Sequence, residues 1–109
     1  MIIKKPSIFI YVNGPDADVL KEVCAGIEEE GVFYDIKEME AAALDELACK
    51  AASDSMLGSG IGMVGASIAL QMRGIEKGRN VESYQNPQKE QSRKLGANSA
   101  RAIKKLPFK

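Results

Sequence analysis

The chain of 109 residues has no histidine at all. That absence removes the usual general base, the serine and cysteine triads and the commonest transition-metal ligand together. No catalytic residue and no cofactor-binding residue is expected on this chain. Cysteine is scarce too: Cys24 and Cys49 lie 25 apart, each inside a helical pattern, and read as buried free thiols rather than a disulfide or a reactive pair. No stretch approaches the roughly 18 apolar residues that span a bilayer. The opening "MIIKKPSIFIYVNG" sets a basic pair before an apolar run of about six residues, with no small-residue cleavage site, which argues against a signal peptide. The expectation is a cytoplasmic protein with no membrane partner.

What is present fits one globular domain over residues 1–109, 45% apolar and 28% charged, with a single modest core. There is no internal repeat, and the only compositionally biased stretch is the polar segment 86–93. "SIFIYVN" (Ser7 to Asn13) is β-branched and aromatic and is closed by Asn13-Gly14-Pro15, which predicts a buried strand. Asp16 or Asp18 then caps a helix through about Glu30, with Leu20, Val23, Cys24 and Ile27 on one apolar face. Gly31 stops that helix in the left-handed geometry glycine adopts most readily. "VFYDIKE" follows as a strand and the alanine-rich Ala41 to Ser55 as a helix. Gly60 to Val64 and Ser67 to Met72 read as antiparallel strands joined by a tight turn near Gly65. After the polar loop "IEKGRN" come a short strand, Val81 to Gln85, and a last helix, about Lys89 to Lys105. Leu95, Gly96, Ser99, Ala100 and Ile103 form its inner face, and their small size predicts close packing on the sheet. The order implies a three-layer α/β/α domain with a mixed sheet of four or five strands.

Gly60-Ile61-Gly62-Met63-Val64-Gly65 spells the dinucleotide fingerprint GxGxxG. The fingerprint needs a strand before it and a helix after it, so that phosphate meets a helix N-terminus. Here a helix precedes and a strand follows, so the glycines are read as packing residues of a hairpin. Charge is distributed unevenly: residues 1–72 hold 5 basic and 12 acidic side chains, and residues 73–109 hold 10 basic and 3 acidic, so the halves carry −7 and +7. Such polarity favours complementary docking to another protein. The basic C-terminal third lacks the aromatic residues that stack on bases, with only Tyr84 and Phe108, so nucleic acid is not an expected partner.

"GIEEEGV" places Glu28, Glu29 and Glu30 at the carbonyl end of the first helix, where the dipole favours cations by about 0.3 to 1 kcal/mol each. The last helix obeys that rule with Arg101, Lys104 and Lys105. The first violates it, and the cost points to an offsetting charge outside the chain. Carboxylates at an exposed helix end suit hard, oxygen-seeking ions such as magnesium, although one chain offers too few ligands to hold one. The alternative is a solvated surface run.

"GIEEEGV" after a strand and a capped helix, together with the ending "GANSARAIKKLPFK", resembles the small subunit of the glycerol and diol dehydratase reactivases, a family related to the medium subunit of the cobalamin-dependent dehydratases. The two end motifs are specific; the middle agrees in length and strand order. The resemblance implies a three-layer fold related to anticodon-binding domains, with one strand of the mixed sheet running antiparallel. It also implies a non-catalytic role. In that family a large ATPase subunit and a small subunit, two of each, form a chaperone that exchanges with the dehydratase medium subunit to release damaged cobalamin. ATP or ADP sits on the large subunit.

Carried over by position, Glu29 matches the residue that reaches a magnesium ion held mostly by large-subunit carboxylates. Glu28, Glu30 and Arg101 are then partner-binding candidates, whereas Asn98, Pro107 and Phe108 match the family's ending, where packing and chain termination suffice. The chain departs from the family in having Phe33 where a proline is usual and in lacking histidines in its central strands. Two other readings stay open: the medium subunit of a dehydratase itself, usually longer than this chain, and a nucleic-acid-binding module. Association with a bacterial microcompartment is a further implication of the family. Whether glycerol or 1,2-propanediol is the dehydratase's substrate stays open.

Overall fold

The computed structural model describes residues 6–109; the basic pair Lys4-Lys5 lies outside them. The elements are β1 (Ile8–Asn13), α1 (Ala17–Glu29), β2 (Tyr34–Glu38), α2 (Leu44–Asp54), β3 (Ser59–Val64), β4 (Ser67–Met72), β5 (Glu82–Gln85) and α3 (Lys89–Lys104). They form one five-stranded sheet in the order β2-β1-β3-β4-β5. β1 pairs in parallel with both β2 and β3, while β4 is antiparallel to β3 and β5, so β4 alone runs against the others.

The helices fall on opposite faces for a topological reason. The chain leaves β1 to one side to form β2, then returns past β1 to form β3, and a right-handed crossover in each direction sends α1 and α2 to different faces. Strand alternation supplies both faces with side chains. Ile8, Ile10 and Val12 of β1, with Ile61 and Met63 of β3 and Ile68 and Leu70 of β4, meet Val23 and Ile27 of α1 and Leu95 of α3 in the larger core. Phe9 and Tyr11 point the other way and meet Leu47 and Ala51 of α2 in a smaller one.

Two pairs of glycines set how near the layers come. A methyl group on Gly60 would lie 2.1 Å from the Ala52 nitrogen, and one on Gly62 2.6 Å from the Ala48 nitrogen, so these glycines let α2 rest directly on β3. The GxGxxG string therefore belongs to sheet packing. On the other face, a methyl on Gly26 would sit 2.1 Å from the Arg93 carbonyl oxygen and one on Gly96 2.0 Å from that of Val23. The small residues of α3 thus serve first the crossing with α1. They serve the sheet as well: Ala100 is buried in the larger core, and Ser59 Oγ of β3 donates to the Ser99 carbonyl at 3.0 Å.

Asp16 is the cap of α1, accepting from the amides of Asp18 and Val19, and Gly31 has φ of +73°. α2 begins at Leu44, three residues later than its alanines suggested, with Ala43 as an N-cap that offers no side-chain acceptor. β2 begins at Tyr34, two residues later than expected. Cys24 is buried, Cys49 half-buried, and both are free thiols; burial pushes the Cys24 thiol up. Among the described residues no helix is long and apolar enough to cross a membrane.

Candidate partner-binding site at the end of the first helix

α1 and α3 run in the same direction: Glu22 meets Arg93, Val23 meets Gly96 and Glu30 meets Arg101. Their carbonyl ends therefore lie together, and two negative helix poles add to the glutamate run. The offset comes from within the chain, which corrects the expectation that it must come from outside. Arg93 Nε lies 3.2 Å from Glu29 and its Nη2 2.9 Å from Glu22, while Arg101 Nε lies 3.2 Å from Glu30. Lys104 donates its ammonium proton to the Glu30 carbonyl at the end of α1, so a cation of α3 supplies the charge that the last turn of α1 lacks.

The C-terminal tail completes the cluster. Lys105 turns the chain in the left-handed conformation, φ 58°, and the tail folds back along α3. Arg101 Nη1 donates to the Pro107 carbonyl at 2.9 Å, and Asn98 Oδ1 accepts from the Lys109 amide at 2.8 Å. These two anchors bring the Lys109 ammonium to 3.9 Å from Glu29 and 3.7 Å from Glu30. Asn98 also donates to Glu82 of β5 at 2.9 Å, which fixes the asparagine that holds the tail.

The three glutamates are consequently not equivalent. Glu28 accepts from the Tyr34 hydroxyl at 2.6 Å, and this bond is the main cause that pushes the phenol's pKa up. The Glu30 side chain is only 10% exposed and is held by Arg101; these two residues, both expected to face a partner, face each other. Glu29 keeps 44% of its side chain exposed, with its cations at 3.2 and 3.9 Å. Among the described residues no group of three or more acidic, cysteine or histidine side chains is arranged to hold a metal. A metal held here would need ligands from outside the described residues.

Arg93 and Lys109 are the members that sequence reasoning missed. Arg93 was legible in principle, because 93, 97, 101 and 104 form a helical stripe that carries Arg93, Arg101 and Lys104. Lys109 was not, because its placement depends on the tail folding back.

Doubly wound sheets usually bind ligands beyond the strand ends where the chain order reverses, here between β1 and β3. That place is filled by the β3–β4 turn: Gly65 accepts from the Asp16 amide at 2.9 Å and donates to the Asn13 carbonyl at 3.2 Å.

The comparisons with known proteins bear on the family and the fold. Residues 5–109 match the family described as dehydratase medium subunit. The propanediol dehydratase-reactivating factor small subunits of Citrobacter freundii and Salmonella typhimurium are each 30% identical over 105 residues, covering 95% of this chain and 90% of the relative. A structure of diol dehydratase-reactivating factor complexed with ADP and Mg2+ superposes with a TM-score of 0.91 at 26% identity, over 97% of this chain and 99% of the other. A glycerol dehydratase reactivase gives the same score and identity over 96% and 97%. With both end motifs and the mixed sheet in place, the chain belongs to the dehydratase medium-subunit family, where it stands with the reactivating-factor small subunits.

Proposed function

We propose that this chain is the non-catalytic small subunit of an ATP-dependent reactivating factor, a chaperone for a cobalamin-dependent diol or glycerol dehydratase. It binds a large ATPase subunit, in a complex of two large and two small chains, and exchanges with the dehydratase medium subunit so that damaged cobalamin is released. The observation that carries this reading is the likeness to the reactivating factor over nearly the full length of both chains. The site adds a physical rationale. Magnesium would supply a hard bridge between subunits, and Glu29 would give it one oxygen while the large subunit gives the rest and holds the nucleotide. Glu29 must then leave Arg93 and Lys109, whose freed charges become available to acidic groups of the partner. Glu28, Glu30 and Arg101 shape the field around it. The complex would work in the cytoplasm or inside a bacterial microcompartment.

The family description supports a second reading, a medium subunit of the dehydratase itself. Both named relatives favour the reactivating factor. The test is co-purification with a reactivase large subunit, native chain against Glu29→Ala, with and without magnesium and ADP or ATP. A native complex that weakens in the variant only when magnesium is present supports the shared metal. Equal complexes remove Glu29 from the metal and keep the subunit assignment, whereas no complex overturns the assignment.

A further inference from the structure

The sheet has one edge that nothing among the described residues covers. At the other edge, Glu82 of β5 is tied to Asn98 of α3, whereas in β2 every residue after Tyr34 is exposed, with Ile36 at 46%. The phase of the β1–β2 ladder is fixed at both ends: the Phe33 carbonyl accepts from the Ile8 amide at 2.9 Å, and the Met39 amide donates to the Val12 carbonyl at 2.8 Å. Alternate residues of a parallel strand bond to the same neighbour, so the amides and carbonyls of Tyr34, Ile36 and Glu38 point away from the sheet. An outward row of this kind is a template for another strand.

The sequence of that edge, Tyr34-Asp35-Ile36-Lys37-Glu38, fits its own reverse. If two copies pair antiparallel about a two-fold axis at Ile36, Asp35 of each lies opposite Lys37 of the other. The outward groups of Ile36, Tyr34 and Glu38 then form the hydrogen-bonded pairs. Asp35 and Lys37 fall at the non-hydrogen-bonded positions, where side chains come closest, and the two exposed Ile36 side chains meet at the axis. We propose that β2 is a homodimerisation edge, joining two copies of this chain into a continuous ten-stranded sheet.

The charges select this occupant. A run of lysines protects an edge by repelling a second copy, whereas alternating signs in this register attract one. Asp35 is already oriented: its Oδ2 accepts from Ser7 Oγ at 2.7 Å. A contact limited to one strand pair is small, so the dimer is expected to be weak and concentration-dependent. The edge meets the glutamate run only where Tyr34 donates to Glu28, and this inference does not depend on the reactivating role.

Sedimentation velocity of the full chain over rising concentration tests it. The native chain is expected to move from monomer to dimer. Asp35→Lys and Lys37→Asp should each weaken the dimer about tenfold or more, because each sets like charges opposite one another twice. Mixing the two single variants should restore a dimer, since each supplies what the other lacks, and the doubly exchanged chain should dimerise alone. This restoration separates lost pairing from lost folding. A native chain that stays monomeric at every concentration overturns the proposal, as do single variants that dimerise like the native chain. Variants that fail only to bind the large subunit would assign the edge to that partner and overturn the homodimer.

Discussion

The α1–α3 pair is held together in two different ways along its length. At the crossing, Gly26 and Gly96 put backbone against backbone, with no side chain able to yield. At the carbonyl ends, five carboxylate-to-cation contacts join Glu22, Glu29 and Glu30 to Arg93, Arg101 and Lys109 at 2.9 to 3.9 Å. Contact at the crossing is short-ranged and indifferent to salt, while the charged end is partly exposed and can exchange partners. The difference assigns stability to the middle of the pair and adaptability to its end.

Attacking the crossing should give the largest effect. Gly96→Ala gains about 1 kcal/mol of helix propensity. It also drives a methyl group to 2.0 Å from the Val23 carbonyl oxygen, which calls for a loss at or above the upper end of the ~1–3 kcal/mol usual for overpacking. Urea unfolding should show a clear net destabilisation, and a stabilised variant would mean the helices stand further apart. At the charged end, Glu30→Gln should cost about 1 kcal/mol, since Arg101 and Lys109 lose a mostly buried partner. That loss should shrink as salt is added.

One residue along, Glu29→Gln should change stability by less than about 0.5 kcal/mol, because Glu29 is the exposed member. Equal losses at 29 and 30 would erase the distinction drawn between them.

The smallest effect lies away from the pair and appears only in alkali. Tyr84 donates to Glu82 at 2.5 Å, and that bond, with burial second, raises its pKa from 10.0 to about 12. A raised pKa of this kind contributes stability that is fully present below pH 10.0 and is lost as pH rises through about 12. Tyr84→Phe should flatten that part of the stability profile relative to the native chain. Identical profiles would show that the bond to Glu82 contributes nothing.

The sequence made the order of elements, the antiparallel β3–β4 pair and the stop at Gly31 legible, because each depends on neighbours within a few residues. The context of the GxGxxG string likewise pointed to packing, and Gly60 and Gly62 do lie against α2. The partners of the glutamates were not legible. Glu30 and Arg101 stand 71 residues apart, and no local pattern reports such a meeting; the −7 and +7 halves show only that one was available. Part of that polarity, read as an invitation to another protein, is used where α1 and α3 touch. The small residues on α3 do pack on the sheet, but their closest approach, to α1 at Gly96, was not legible, since periodicity gives a face but not everything the face meets.

The filled crevice between β1 and β3 has a consequence for control. A domain that closes around a ligand carries two shapes and can report which one it is in. With Gly65 seated between Asn13 and Asp16, the described residues leave no such cleft at the switch point, and under the proposed function the chain would offer one contour to each protein that holds it. On the proposed function, the decision to keep or release it would rest with the proteins on either side.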